Sequence, residues 1–325
     1  MTDAMLDYEN EFPIEIQAPD ISAYKSGNVG IDYIHTFDSG KDGPHVFISA
    51  VVHGNEPCGA LALDWLFKNN ARPIKGKLSL GFMNVKAYLA YDPANPNRTR
   101  WVDEDFNRLW APGVLDDLSR KKTNEFERAR MIRPILSDVD FLLDIHSMQK
   151  PCVPLMMAGM EEKGLSLAKS VGMNMSTIID SGHKEGMRMR DFGGFSDPKS
   201  AKNALLVECG QHWAKASEPI AIETAIRFIK NAGIMSNDFG LEVLSSSQNN
   251  QKMKSFKVGE LVTIKTEHFK FKQDWQGFDH LDKGTIIGHD DDEPIFAPYE
   301  TTVLIMPTKR LFVGKTAVRL AYPLD

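Results

Sequence analysis

A chain of 325 residues with 42% hydrophobic and 25% charged residues has the composition of a folded globular protein and the length for two domains. Its net charge of −6 offers nothing to nucleic acid, whose phosphates demand Lys and Arg, and no apolar run nears the ~20 residues that span a bilayer. The acidic opening, Met1 to Asp7, lacks the apolar stretch of a secretory signal, and three scattered cysteines, Cys58, Cys152 and Cys209, make no disulfide framework; a cytoplasmic protein is expected.

Up to about residue 40 the chain is polar and turn-rich, and the alternating patch Val29 to Ile34 reads as edge strand. Apolar runs then alternate with amphipathic stretches. Val46 to Val52, Leu78 to Val85, Phe141 to Ile145, Val153 to Met157 and Ala204 to Val207 read as strands. Gly59 to Asn69, Lys122 to Leu136 and Glu218 to Asn231 read as helices. Such alternation predicts an α/β fold, a mostly parallel sheet flanked by helices. Ser245 to Gln251 is a polar, low-complexity segment that reads as a linker. Beyond it come short β-rich pieces, Leu261 to Lys265, Thr285 to Gly288, Thr301 to Met306 and Ala317 to Ala321, separated by Gly and Pro. The predicted organisation is an α/β domain over 1–244 and a small all-β domain over 245–325. Asp290 to Glu293 reads as a solvated turn before it reads as a calcium site.

Chemistry gathers where the predicted strands end, the place at which open parallel sheets bind ligands. His53 and Glu56 follow the first buried run, His146 follows Phe141 to Ile145, and Glu208 follows Ala204 to Val207. Two imidazoles and one carboxylate leave one tetrahedral position open for water, the pattern of a catalytic rather than a structural zinc. A carboxylate such as Glu208 at a buried strand end needs a partner, and water on a metal would provide one. Asp144, two residues before His146, is a candidate acceptor for an imidazole N–H. Each residue alone has a plainer reading: a hydrogen-bonded core histidine, a chance HxxE, a structural ion pair. Their shared position is what argues for a site. His183 and His212 lie near the site loops, with no role assigned.

The segments Ser49 to Glu56, Asp105 to Arg108, Asp144 to Ser147 and Leu206 to Gly210 resemble, in this order, the succinylglutamate desuccinylase and aspartoacylase family of the zinc carboxypeptidase-like superfamily. The resemblance spans about residues 40 to 325 and implies a zinc carboxypeptidase-like α/β domain followed by a β domain that narrows access to the site. It implies one Zn2+ per chain held by His53, Glu56 and His146, with Glu208 as general base and Arg100 polarising the scissile carbonyl. Asn107 and Arg108 match the pair that holds a substrate carboxylate; Arg188 or Arg190 falls among further substrate-binding residues, and Tyr299 would reach the site from the β tail.

The activity so implied is hydrolysis of a linear amide in a small anionic N-acylated amino acid. Zinc lowers the pKa of bound water to about 7, a carboxylate base moves the proton, and a bidentate guanidinium grips a carboxylate as lysine cannot. Three rivals stand beside it: a carboxypeptidase acting on peptides, a catalytically silent binding relative, and a cysteine hydrolase using Cys58 beside His53. The acyl group, the amino acid and the presence of a homo-oligomer are left open by the pattern.

Overall fold

The structure, a computed structural model, describes residues 10–246 and 253–324. The first part runs β1 (Ile34–Asp38), β2 (His45–Ala50), α1 (Pro57–Lys68), β3 (Lys77–Phe82), α2 (Val85–Leu89), α3 (Asn124–Asp138), β4 (Phe141–Met148) and β5 (Leu155–Met157). It continues through α4 (Glu162–Val171), β6 (Ser176–Ile179), β7 (Asn203–Gln211), α5 (Ser217–Asn231) and α6 (Leu241–Ser246). Thereafter the described residues hold strands and no helix: β8 (Ser255–Thr263), β9 (Lys270–Phe271), β10 (His280–Asp282), β11 (Ile286–Asp290), β12 (Glu293–Phe296), β13 (Thr301–Ile305) and β14 (Thr316–Pro323).

Among the described residues eleven strands form one sheet in the order β1-β3-β2-β4-β7-β5-β6-β8-β14-β13-β10. β3, β2, β4 and β7 are parallel neighbours, and β1 closes one side antiparallel to β3. β5 pairs antiparallel with β7, and the sheet then continues parallel through β6 to β8. The stretch expected as a small β domain is hydrogen-bonded to the α/β part where β8 pairs with β6. β14, β13 and β10 extend it antiparallel, and β9, β11 and β12 make a smaller sheet.

Successive residues of the central strands face opposite layers, as the period of two requires. Val46 and Ile48 of β2 and Leu143 and Ile145 of β4 join α1, α4 and α5 in one core. Phe47, Leu142 and Ala204 turn the other way, against Phe126, Ala129, Ile132 and Leu136 of α3. Both faces of β4 and β7 are therefore covered, which explains why these strands read as unbroken apolar runs. Each fully buried Leu, Ile or Phe contributes about 1.5–3 kcal/mol, so the strand centres are the rigid base on which the strand ends stand.

Three boundaries differ from expectation. The patch Val29 to Tyr33 is bend and turn, and the edge strand starts at Ile34. β4 and β7 run past their apolar residues to Met148 and Gln211, so His146 and Glu208 lie within strands rather than after them. The segment expected as a linker begins inside α6 with Ser245 and Ser246, and its remainder lies outside the described residues. Asp290 ends β11 beside the turn to β12, and its carboxylate accepts hydrogen bonds from the Lys265 and Thr266 amides and the Thr266 hydroxyl. Among the described residues no helix is long and apolar enough to cross a membrane.

Candidate active site

β2 ends at Ala50, and the next residue, Val51, is buried with φ at +52°. That left-handed conformation is an outlier for a β-branched residue, and strain of this kind, about 1–3 kcal/mol, collects at functional sites. Its effect is to throw the chain across the top of the sheet, so that His53 and Glu56 come to overhang β4. Gly54 makes the turn feasible: a Cβ there would lie 2.4 Å from the Ala87 carbonyl carbon and the Thr99 oxygen. Glu56 is the residue before α1, whose first residue is Pro57, a placement that costs no helix hydrogen bond.

On β4, Asp144 and His146 are two apart and share a face. His146 stands in register with Glu208 on the adjacent β7. The Glu56 carboxylate lies between the two imidazoles, Oε1 at 2.7 Å from His53 Nδ1 and Oε2 at 2.9 Å from His146 Nδ1. The Ser147 amide donates to the same Oε2 at 3.1 Å. Burial would raise the Glu56 carboxyl, but His53 and His146 hold it well below the usual carboxylate range. Burial would likewise lower the His146 imidazole, yet Asp144 and Glu56 hold it well above its ordinary value.

The far nitrogens of both rings face carboxylates. His53 Nε2 is 3.0 Å from Asp105 Oδ1, and His146 Nε2 is 2.9 Å from Asp144 Oδ2, whose other oxygen takes the Ser49 hydroxyl at 2.7 Å. Metal-ligating histidines are oriented in this way. One ligand atom from each of His53, Glu56 and His146 lies within 4.8 Å of the others, and all three residues are buried. Beside them Glu208 is also buried, and among the described residues its Oε2 has no hydrogen-bond partner. Burial first, and then the charge of Glu56, pushes the Glu208 carboxyl up to about 8 against the opposing pull of His146. Two imidazoles, one carboxylate and an unpartnered acid next to them form a donor set that could hold a metal ion with a coordination position left over.

His53, His146 and Glu208 line a cleft of about 570 Å³. Arg100 Nη1 donates to Glu56 Oε1 at 3.1 Å, and its Nη2 stands 3.0 Å from His53 Nε2. Asp105 caps the short turn Phe106–Arg108 by accepting from the Asn107 amide at 2.9 Å. Asn107 is held by the Met189 amide, which donates to its Oδ1 at 2.7 Å. Arg108 lines the cleft between Asp105 at 3.7 Å and Glu185 at 3.9 Å.

The expected substrate-binding residues do not all arrive. Arg188 reaches the cleft wall, where Asp180 and Asp191 take its guanidinium N–H groups at 3.0–3.2 Å. Arg190 is buried behind that wall, donating to the carbonyls of Ala158 and Ala204 and to Asp191, because those strand-end carbonyls need donors. Tyr299 stays away from the cleft: its ring packs on Tyr322 at 5.0 Å and its hydroxyl lies over Gly259 of β8. The β region sends Arg319 of β14 instead. Arg319 donates to Asp180 at 3.1 Å and stands 2.7 Å from His183 Nε2, with its flanking residues Val318 and Leu320 buried. A lone arginine inside the apolar run Ala317 to Ala321 was the signal in the sequence. Cys58 packs beneath the floor, its thiol 3.8 Å from the His146 carbonyl, and is not a cleft residue.

Comparison with known proteins reaches the same place. Residues 42–234 match the family model described as the succinylglutamate desuccinylase/aspartoacylase catalytic domain. The chain belongs to this family. A curated succinylglutamate desuccinylase of Pseudoalteromonas atlantica is 20% identical over 306 residues, covering 87% of this chain and 82% of that protein. Among solved structures, succinylglutamate desuccinylase from Vibrio cholerae superposes with a TM-score of 0.66 at 17% identity, covering 90% and 86%. The product-bound ectoine utilization protein EutE (DoeB) of Ruegeria pomeroyi gives 0.60 at 15%, covering 89% and 88%. The chain is a deacylase of the succinylglutamate desuccinylase/aspartoacylase family, with the mostly parallel sheet and terminal β region of those structures.

Proposed function

We propose that the protein is a zinc-dependent amidohydrolase that removes the acyl group from a small, anionic N-acyl amino acid. The observation that carries this reading is the convergence of His53, Glu56 and His146 beside the unpartnered acid of Glu208. Nitrogen, nitrogen and carboxylate oxygen suit zinc, with Asp105 and Asp144 orienting the two rings. Zinc held there would supply Lewis acidity, bringing the pKa of a water beside it to about 7.

The protein's own residues do the rest. Glu208, oriented by β7 next to His146, takes the proton from the attacking water at its free oxygen and returns it to the leaving amine. Burial raises the Glu208 carboxyl, which makes its anion a stronger base than one in water; the charge of a zinc ion held beside it would pull the other way and keep that anion available near neutral pH. Arg100 polarises the scissile carbonyl and stabilises the negative oxygen formed on attack, an effect whose loss costs about 10²–10³ in rate. Arg108 and Asn107 hold the substrate carboxylate, and Arg108 exchanges its distant contacts with Asp105 and Glu185 for a bidentate one. Arg188 and Arg319, already bound to Asp180, shape the wall; no role in binding is assigned to Arg190 or Tyr299.

The test is metal analysis of the purified protein followed by a screen of N-acetyl, N-succinyl and N-formyl amino acids with zinc supplied, peptides included for comparison. Near-stoichiometric zinc and turnover of one acyl amino acid class are expected. Glu208→Gln should keep the zinc and lose about 10²–10⁴-fold in kcat. Retained turnover in that variant would remove Glu208 from its role, and zinc with no hydrolysis of any substrate would leave a binding relative.

A further inference from the structure

We infer that Glu125, on the first turn of α3, is the positioning residue that holds the loop carrying Arg100 and Asp105 against the metal-binding residues. The inference rests on the hydrolase reading of the site.

Glu125 is completely buried, and both oxygens of its carboxylate are engaged. Oε1 accepts from the Val102 amide at 2.7 Å and from Asn84 Nδ2 at 2.9 Å. Oε2 accepts from the Asp103 and Glu104 amides at 3.0 and 3.3 Å. Three consecutive backbone N–H groups thus close on one side chain, an arrangement that leaves a buried carboxylate satisfied and gives an irregular loop one conformation. The two residues that bracket these amides both touch His53: Arg100 before them, which also donates to Glu56, and Asp105 after them. Asn84, the fourth donor, follows the end of β3 and precedes α2, so the carboxylate ties the loop to the sheet as well as to α3. The loop meets the metal-binding turn a second time where the Gly54 amide donates to the Arg100 carbonyl at 3.0 Å.

Glutamine is the informative replacement, because it keeps the shape and reverses half of the pattern. Its single oxygen can still accept from Val102 and Asn84, but its NH₂ then faces the N–H groups of Asp103 and Glu104. The loop must move away, and a displacement near 1 Å at the reacting groups costs about 10²-fold. Glu125→Gln is therefore expected to lose about 10²-fold in kcat with KM within about twofold of wild type, because the groups displaced act in the transition state. A residue that only stabilises the fold would lower the melting temperature without that split. In the double variant Glu125→Gln/Arg100→Ala the loss should be smaller than the product of the two single losses, since Glu125 acts in part through Arg100; fully multiplying effects would overturn the inference.

A second measurement needs no variant. In the wild-type protein the amides of Val102, Asp103 and Glu104 should exchange with deuterium as slowly as those of neighbouring α3. Exchange at the rate of an open loop would overturn the proposal even if Glu125→Gln failed to fold. Inactivity of the wild-type enzyme on every acyl amino acid would sink the hydrolase reading and not this one, which the exchange rates still decide.

Discussion

Glu56 occupies the centre of the site because it meets both imidazoles at once, through different oxygens. Such a cluster is a poor store of stability, since burying charge is expensive even when paired, and it makes sense as a ligand set. Around it the acids divide into two kinds: Asp105 and Asp144 orient rings, whereas Glu208 has an oxygen to spare. Arg108 belongs to neither group, and its 3.7 and 3.9 Å contacts with Asp105 and Glu185 leave room for a better partner. Arg108→Lys is expected to raise KM by about 10- to 100-fold with little change in kcat, the signature of lost uniform binding; steady-state kinetics on the substrate found in the screen would show it. The proposed ligands His53 and Glu56 were legible in the sequence because the pattern is local, a histidine and a glutamate three apart beside a strand. The placements of Arg190 and Tyr299 were not, because which way a side chain outside the strands turns depends on distant partners, here the Ala158 and Ala204 carbonyls and the Tyr322 ring.

At the scale of elements, the site is a property of strand ends and the turns that leave them. β4 and β7 supply His146 and Glu208 in register, and the turn after β2 supplies the other two groups. That turn is tightly filled around Gly54. Gly54→Ala should destabilise the protein by about 1–3 kcal/mol through overpacking, and because the shift moves His53 and Glu56 together, isothermal titration should show weakened zinc binding as well. The same element logic explains what sequence patterns conveyed. Long apolar or amphipathic segments such as β2, β4, α1 and α5 were clear, since burial dictates their period. β6 and the two- to four-residue strands β9, β10 and β12 were silent, because segments so short carry too few residues for any period to stand out. Only pairing with β8, β13 or β11 defines those strands.

Across the whole molecule, one sheet carries both the catalytic floor and the β region, and a buried charge cluster spans the same junction. Asp180, just past β6, receives Arg188 from the site loop and Arg319 from β14. Burial works against its charge, but Arg319 and then Arg188 hold its carboxyl below the usual range. A lowered pKa in the folded state means stability that is fully present above the unfolded value of about 3.9 and is lost as pH falls through the folded one. Asp180→Asn leaves the buried Arg319 guanidinium without its anion and Arg188 with Asp191 alone, and should cost about 3–5 kcal/mol near neutral pH. Thermal melts of both proteins should differ most above about pH 4 and converge below it; a constant difference across that range would assign Asp180 a role other than this charge pairing.

The continuous pairing of β6 with β8 also has a meaning for how such a cleft changes over time. Met306, Arg310 and Lys315, which line the cleft, lie on the connection between β13 and β14, outside the segments that carry His53 and His146. Insertions or exchanges there can remodel which molecules are admitted while leaving the bond-breaking machinery untouched. A lineage built on this scaffold can therefore acquire new diets without reinventing its chemistry.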